Sequence, residues 1–214
     1  MEFSRSYISP VRDEAARATE RRILDAAERL FIEQGYGPAT IASIARTAGV
    51  SKQTVYNSCG SKADLLKRLY DVRLVGDEEP VPFADREDVK EVGSRSDPRA
   101  LLAGYGQLAG QILERLGPVM SVVVSGAASG DPDLRHHLEV ADSERLTGAQ
   151  GWAGQLASLG GLRPGLTVDR ARDIIWAINS VQTWDLLVRR RGWSTQDYGA
   201  WLGEALAEVL LAPL

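Results

Sequence analysis

The sequence predicts an all-α protein in two parts, a small three-helix head at the N-terminus and a larger helical body behind it. Three observations carry that expectation. Apolar residues recur at helical spacing along most of the chain, from Ile23, Ala27, Leu30 and Phe31 near its start to two long stripes at its end. Breaks fall between these stretches, at Gly35, Gly37-Pro38, Gly49, Gly60, Gly160-Gly161 and Gly192. No two segments alternate apolar and polar residues as paired strands would. Val122-Val123-Val124 is the one β-like run, and its Gly- and Ala-rich flanks leave it ambiguous.

Taken in order, residues 1–13 carry Ser, Arg and Pro10 without a period and read as a flexible arm. Residues 14–34 form the first helix, closed by Gly35 and Gly37-Pro38. Thr40 caps a short helix over 41–48, because its hydroxyl can accept from a free N–H of the first turn. Ser51 caps the next, over 52–58, and Ser61 a fourth, over 62–75, with Leu65, Leu66 and Leu69 inward. Residues 76–98 are acidic, with three Pro and two Gly, and read as a solvated linker. Helical patterns resume over 98–116, 118–128 and 132–159, and two strong helices close the chain over 168–191 and 195–211. The expected organisation is an arm (1–13), a head (14–61), a connecting helix (62–75) and a body (76–214).

Composition narrows the class. At 214 residues, 44% hydrophobic and 25% charged, the chain has the balance of a globular protein with a real core. Its one cysteine, Cys59, rules out an intrachain disulfide, and a cysteine-based metal site would need several more ligands. No stretch approaches the ~20 apolar residues of a membrane helix, and the start MEFSRSYISP lacks the apolar run of a signal peptide. A cytoplasmic location is expected. The net charge of −4 hides an asymmetry: residues 1–75 hold 12 Lys+Arg against 9 Asp+Glu, and the remainder 13 against 20. A basic head on an acidic body suits a protein that presents one end to a polyanion.

The segment IASIARTAGVSKQTVYNSCGSKADLL, residues 41–66, sharpens this. Ala45 is small enough for two helices to cross closely, Gly49 permits the positive φ of a tight turn, and Val50 and Val55 fill the wedge between the helices. That is the spacing of a helix-turn-helix, whose second helix can enter a major groove. The run Ala26-Ala27, Leu30-Phe31, Gly35-Tyr36, Thr40, Ile44-Ala45, Ala48-Gly49-Val50-Ser51, Tyr56 and Gly60-Ser61-Lys62 resembles the TetR family of bacterial repressors across residues 20–70.

The resemblance implies that Lys52, Gln53, Thr54 and Asn57 lie on or near the exposed face of a recognition helix. Gln53 is the base reader it favours, since an amide can donate to and accept from adenine. It implies phosphate contacts for Thr40, Thr54, Tyr56 and Lys62; Thr40 and Lys62 stand at helix N-termini that already favour an anion. For Tyr56 a second reading stays open, that it covers the domain core. The sequence departs from the family at Cys59, where an aromatic residue is usual, and at Ser58, often a phosphate-reaching residue. Cys59 reads as a small buried filler rather than a redox sensor.

In the body, apolar stripes at Ile174, Ile178, Val181 and Val188, and at Tyr198, Trp201, Leu202, Ala205 and Val209, cover more of each helix than one neighbour can bury. A second copy of the chain is the expected cover, and the TetR resemblance implies the same two-fold dimer. A small-molecule effector is expected within the body. Tyr105, Met120, Trp152, Trp176, Asn179 and Trp184 are its candidate contacts, with Leu108, Ile112, Val124 and Leu156 beside them. Few charges fall on these stripes, so the expected effector is apolar or aromatic with a few polar anchors. His136-His137 reads as a solvated pair rather than a metal site. No nucleophile–base pair, phosphate loop or metal-ligand spacing suggests an enzyme, and no cofactor is expected. The expected function is a dimeric regulator that binds a palindromic double-stranded DNA operator, acts as a repressor and is released by its effector. The alternative is a helix-turn-helix protein that has lost DNA binding and acts through protein contacts.

Overall fold

The computed structural model describes residues 10–77 and 79–213, with side chains from residue 14 onward. It divides into two compact units, residues 1–71 and 72–214. Among the described residues there are ten α-helices and no strand, only an isolated antiparallel bridge between Leu162 and Leu211.

The first unit holds α1 (Pro10–Gln34), α2 (Ile41–Ala48), α3 (Lys52–Cys59) and most of α4 (Lys62–Val75). Ile23, Ala27 and Phe31 of α1, Ile44 of α2, Val55 of α3, and Leu65 and Leu69 of α4 are fully buried together. These are the positions that helical periodicity marks in the sequence. The Phe31 and Tyr36 rings pack 5.2 Å apart and close the turn after α1. One expectation changes here. Residues 10–13, read as part of an arm, are the first turn of α1. Pro10 sits where its fixed φ suits a helix start and its missing N–H would have had no partner anyway. Residues 1–9 of that arm lie outside the described residues.

The second unit holds the end of α4, α5 (Glu87–Gly93), α6 (Pro98–Ala128), α7 (Pro132–Ser158), α8 (Val168–Ile178), α9 (Val181–Trp184) and α10 (Thr195–Leu210). The expected solvated linker over 76–98 is instead partly helical. Glu87 and Asp88 favour the start of α5 electrostatically, and Val89 and Val92, three residues apart, bury its inner face. Before it, Arg86 grips Asp77 at 2.5 and 2.8 Å. That guanidinium holds the Asp77 carboxyl down at about 2.

The helices expected over 98–116 and 118–128 are one continuous helix, with Pro118 inside it. Proline removes one backbone hydrogen bond, yet Leu116, Val119, Met120 and Val123 stay buried across the site, so packing carries the helix through. The opposite correction applies to 168–191. The stripe is continuous in sequence, but the helix breaks at Asn179 and Ser180. Asn179 has ψ 77°, and the Ser180 side chain accepts from Thr183 N–H and starts α9 afresh. Residues 185–190 continue α9 as a π-helix.

Helices α6 and α10 cross unusually closely, through Gly106 and Gly110 on one side and Gly199 and Gly203 on the other. A Cβ on Gly106 would overlap the Gly199 carbonyl oxygen and lie 2.6 Å from Gly203 N, so backbone meets backbone. Arg115 of α6 closes the last turn of α4, donating to the carbonyls of Arg73 and Leu74 at 3.3 Å each, against Gly76.

Candidate nucleic-acid interface

Helix α2 begins on a reciprocal cap. Thr40 Oγ1 accepts from Ser43 N–H at 3.1 Å, and Ser43 Oγ accepts from Thr40 N–H at 3.0 Å. It ends at Gly49, whose φ of 67° lies in the left-handed region, and Val50 N–H donates back to the Ala45 carbonyl at 3.0 Å. Gly49 N–H also donates to the Arg46 carbonyl at 3.3 Å, so the turn is fixed by glycine and the backbone bonds that close α2. Ser51 then caps α3 by accepting from Thr54 N–H at 3.0 Å.

Burial of Val55 and Cys59 sets which face of α3 looks outward. Lys52, Gln53, Tyr56 and Asn57 all lie exposed. Gln53 Nε2 donates to Asn57 Oδ1 at 2.8 Å, so two amides one turn apart form a single polar platform. The Tyr56 side chain is exposed, 52% by area, which decides against its covering the core. Thr54 is half-buried with its hydroxyl 2.8 Å from Ser51 Oγ, serving the cap. Thr40 is exposed, but its hydroxyl likewise serves its own helix.

Lys62 is differently placed from a free phosphate-reaching lysine. Its Nζ donates to the Tyr36 carbonyl at 3.0 Å and the Gly37 carbonyl at 3.4 Å, and lies 4.0 Å from the centre of the Tyr36 ring. It ties the start of α4 to the turn after α1. Asp64, which carried no role in the sequence reading, makes the cap of α4 reciprocal: its carboxylate accepts from Ser61 N–H at 2.9 Å and Ser61 Oγ at 2.8 Å. Those bonds hold its carboxyl below the usual range. The Cys59 thiol is buried, and desolvation, with Glu20 nearby, pushes it up to about 11 despite the opposing charge of Arg68. At neutral pH it is a protonated thiol.

In the second unit four of the candidates cluster. Asn179 Nδ2 donates to Tyr105 Oη at 2.7 Å, and Tyr105 packs edge-on against Trp152, ring centres 5.3 Å apart. Trp176 Nε1 donates to the Asp142 carbonyl at 3.2 Å. Arg145, overlooked in the sequence, organises the group. It pairs with Asp142 at 2.7 Å, donates to the carbonyls of Trp176 (2.7 Å) and Asn179, and lies over the Trp176 ring at 5.5 Å. A guanidinium among apolar stripes corrects the expectation of a nearly uncharged interior. An arginine at position 145 carries no signal of its own on a helix with many charges, and only the fold brings it to the break after α8. Met120 and Trp184 are buried elsewhere, Trp184 with its ring against Gly117. The histidines also differ from expectation: His136 is exposed but His137 is buried, as neighbours on a helix point about 100° apart. Among the described residues no group of three or more His, Cys, Asp or Glu is placed to hold a metal ion.

Residues 23–69, which hold the caps, the glycine turn and the exposed α3 face, match the family profile of the bacterial regulatory proteins, tetR family. The head is a tetR-family domain. The curated relatives agree over that segment: it is 40% identical over 58 residues to the HTH-type transcriptional regulator TtgR of Pseudomonas putida, spanning 27% of this chain and 28% of TtgR. Among solved structures, the chain is similar to the transcriptional regulator FadR from Bacillus subtilis in complex with stearoyl-CoA, at 21% identity and TM-score 0.68, over 87% of this chain and 97% of that one. It is similar also to NalD, the secondary repressor of the MexAB-OprM multidrug efflux pump in Pseudomonas aeruginosa, at 22% identity and TM-score 0.68, over 94% and 100%. The tetR-family domain thus precedes a larger helical domain of the same fold as in those structures. No helix among the described residues is long and apolar enough to cross a membrane.

Proposed function

We propose that this protein is a dimeric, effector-responsive transcriptional repressor that binds a palindromic DNA operator. The observation that carries the reading is the exposed α3 face, where Gln53 and Asn57 are hydrogen-bonded into one platform on a helix anchored from behind by Val55. After that bond Gln53 keeps its carbonyl oxygen and one N–H, the pair that reads the N6 and N7 edge of adenine. Lys52 and Tyr56 flank it toward the phosphates. A two-fold dimer places two such helices about one DNA turn apart, roughly 34–36 Å. Half-buried Ile174, Ile178, Trp201, Ala205 and Val209 supply the apolar surface that a second copy would cover.

The second unit is the effector domain in this reading, with the Tyr105–Asn179–Trp152–Trp176 cluster at its centre. The FadR structure with stearoyl-CoA is of the same fold. Effector binding shifts α6, and α6 holds the end of α4 through Arg115; α4 begins in the head, so the separation of the two recognition helices changes. The coupling expected for such a device is about 1–3 kcal/mol.

A gel-shift series over salt concentration, using a palindromic operator selected from random DNA, tests the reading. Nanomolar binding that weakens steeply with salt is expected. Absence of any DNA selection would favour the alternative, a helix-turn-helix protein acting through protein contacts. Gln53→Ala should relax preference at one position per half-site, costing about 1–3 kcal/mol there. Unchanged discrimination across single-base operator variants would remove Gln53 from the reading set.

A further inference from the structure

An unbroken helix running from α8 into α9 would bond Ser180 N–H to the Trp176 carbonyl and Thr183 N–H to the Asn179 carbonyl, each one turn back. The break between the two helices undoes both bonds and supplies a substitute for every group released. Asn179, at φ −80° and ψ 77°, forms an inverse γ-turn in which Ser180 N–H donates to the Ile178 carbonyl at 3.0 Å. Thr183 N–H turns to Ser180 Oγ at 3.2 Å. The two carbonyls left over, those of Trp176 and Asn179, are the ones that a single nitrogen of Arg145, Nη2, takes up from α7. Asp142 holds the same guanidinium at 2.7 Å, and the Asn179 side chain donates to Tyr105 Oη of α6 at 2.7 Å.

The broken form carries a cost. Trp184 of α9 is docked with its ring against Gly117 of α6, and its Nε1 is buried without a partner among the described residues. An indole nitrogen can only donate, and a buried donor without a partner forfeits the bond it had with water. The apolar stripe is also divided: Val181 is 8% exposed, buried within its own chain, whereas Ile174 and Ile178 are only half-buried. On one helix Ile174, Ile178, Val181 and Val188 share a face. We propose that the joint at Asn179 and Ser180 is a latch with two hydrogen-bonded states. Arg145 holds it broken, and its release lets α8 and α9 join into one helix that turns Val181 toward the face offered to a second copy. This rests on the proposed dimer and names its regulation. Three interactions favour the broken state: Arg145 on the carbonyls, Asn179 on Tyr105, and the Trp184 ring on Gly117. Tyr105 packs against Trp152 in the proposed effector cluster. An effector that takes Tyr105 Oη from Asn179 therefore removes one of the three and favours the joined helix.

The test is hydrogen exchange of the full chain, followed amide by amide in NMR spectra, with the dimer dissociation constant from sedimentation equilibrium beside it. Arg145→Met removes the latch and leaves two carbonyls that the helical bonds can satisfy. Exchange at Ser180 and Thr183 should then slow about ten-fold, the gain of roughly one backbone hydrogen bond. The dimer should tighten by a similar factor, about what burying one more valine at the interface gives. A merely structural arginine behaves in the opposite way: its loss would fray the joint, speed exchange over residues 176–184 and weaken the dimer, and the proposal would fall. Ser180→Ala works on the other arm of the joint. It takes away the hydroxyl that accepts from Thr183 and puts a stronger helix former at the break, so exchange at Thr183 should slow there too. Unchanged exchange in both variants would also overturn the latch. The two readings fail separately. Slower exchange at the joint in a chain that stays monomeric at every concentration would defeat the dimer and keep the latch. A stable dimer whose joint exchanges faster without Arg145 would do the reverse.

Discussion

Lys62 shows how a single residue can change roles between sequence and structure. By position it is a phosphate contact at a helix start; by geometry its ammonium is bound to the carbonyls of Tyr36 and Gly37 and the Tyr36 ring. Lys62→Met should therefore destabilise the head by about 1–2 kcal/mol, through lost charge-assisted bonds and a cation–π contact, read by urea denaturation. A fall of one unit in the salt slope of DNA binding with unaltered stability would return it to the phosphate. Cys59 gives a second residue-scale expectation. A thiol whose folded value is raised binds its proton more tightly when folded, so its contribution is complete below about 9 and is lost as pH climbs toward about 11. Stability measured across that window should decline, and Cys59→Ala should flatten part of the decline. At pH 7.5, about neutral on this scale, the folded protein should react with a thiol reagent far more slowly than the unfolded one.

At the scale of elements, the head was legible in sequence because each of its helices carries its own signals. Thr40, Ser51 and Ser61 mark the starts, Gly35, Gly49 and Gly60 the ends, and Val55 and Leu65 the buried faces. The body was less so. Pro118 reads as a stop, but the core on both sides of it holds α6 together; Ile174 to Val188 reads as one stripe, but Asn179 turns its side chain to Tyr105 of α6 and Ser180 caps a new helix, and together they divide it. Those outcomes depend on what the helix packs against, which no local pattern contains. The same holds for the candidate site. The exposed face of α3 follows from periodicity, whereas Arg145 reaches Trp176 and Asn179 only through the packing of α7 on α8. Arg115 makes a prediction at this scale. It is the cap of the last turn of α4, so Arg115→Ala should speed hydrogen exchange at residues 74–77 while leaving the amides of α1 to α3 unchanged. Equal protection in both proteins would show that the guanidinium bonds contribute nothing.

For the whole molecule, the basic balance of the head fits the DNA contact proposed for it, and the half-buried apolar face of α10 fits the second copy proposed to cover it. Ala205→Arg, in the stripe with Trp201 and Val209, should convert the proposed dimer to a monomer in sedimentation velocity and weaken operator binding with it. A monomer that binds the full palindrome as tightly as the unaltered protein would break the link between assembly and function. The opposite face of α10 is the glycine crossing with α6, where a Cβ on Gly203 would lie 2.8 Å from the Leu102 carbonyl oxygen. Overpacking of that kind costs about 1–3 kcal/mol or more, and here the obstacle is backbone, which cannot rotate away. In a library of random substitutions α10 would thus divide lengthwise. Its outer positions would accept many replacements, with assembly as the filter. Gly106 and Gly203, where a Cβ would overlap backbone, would reject even alanine, with expression level as the filter, while Gly110 and Gly199, tight but not overlapping, would be less strict. Variants that survive at a crossing glycine would be carrying a second change on the facing helix, and the pairs so recovered would map the crossing without any further structure.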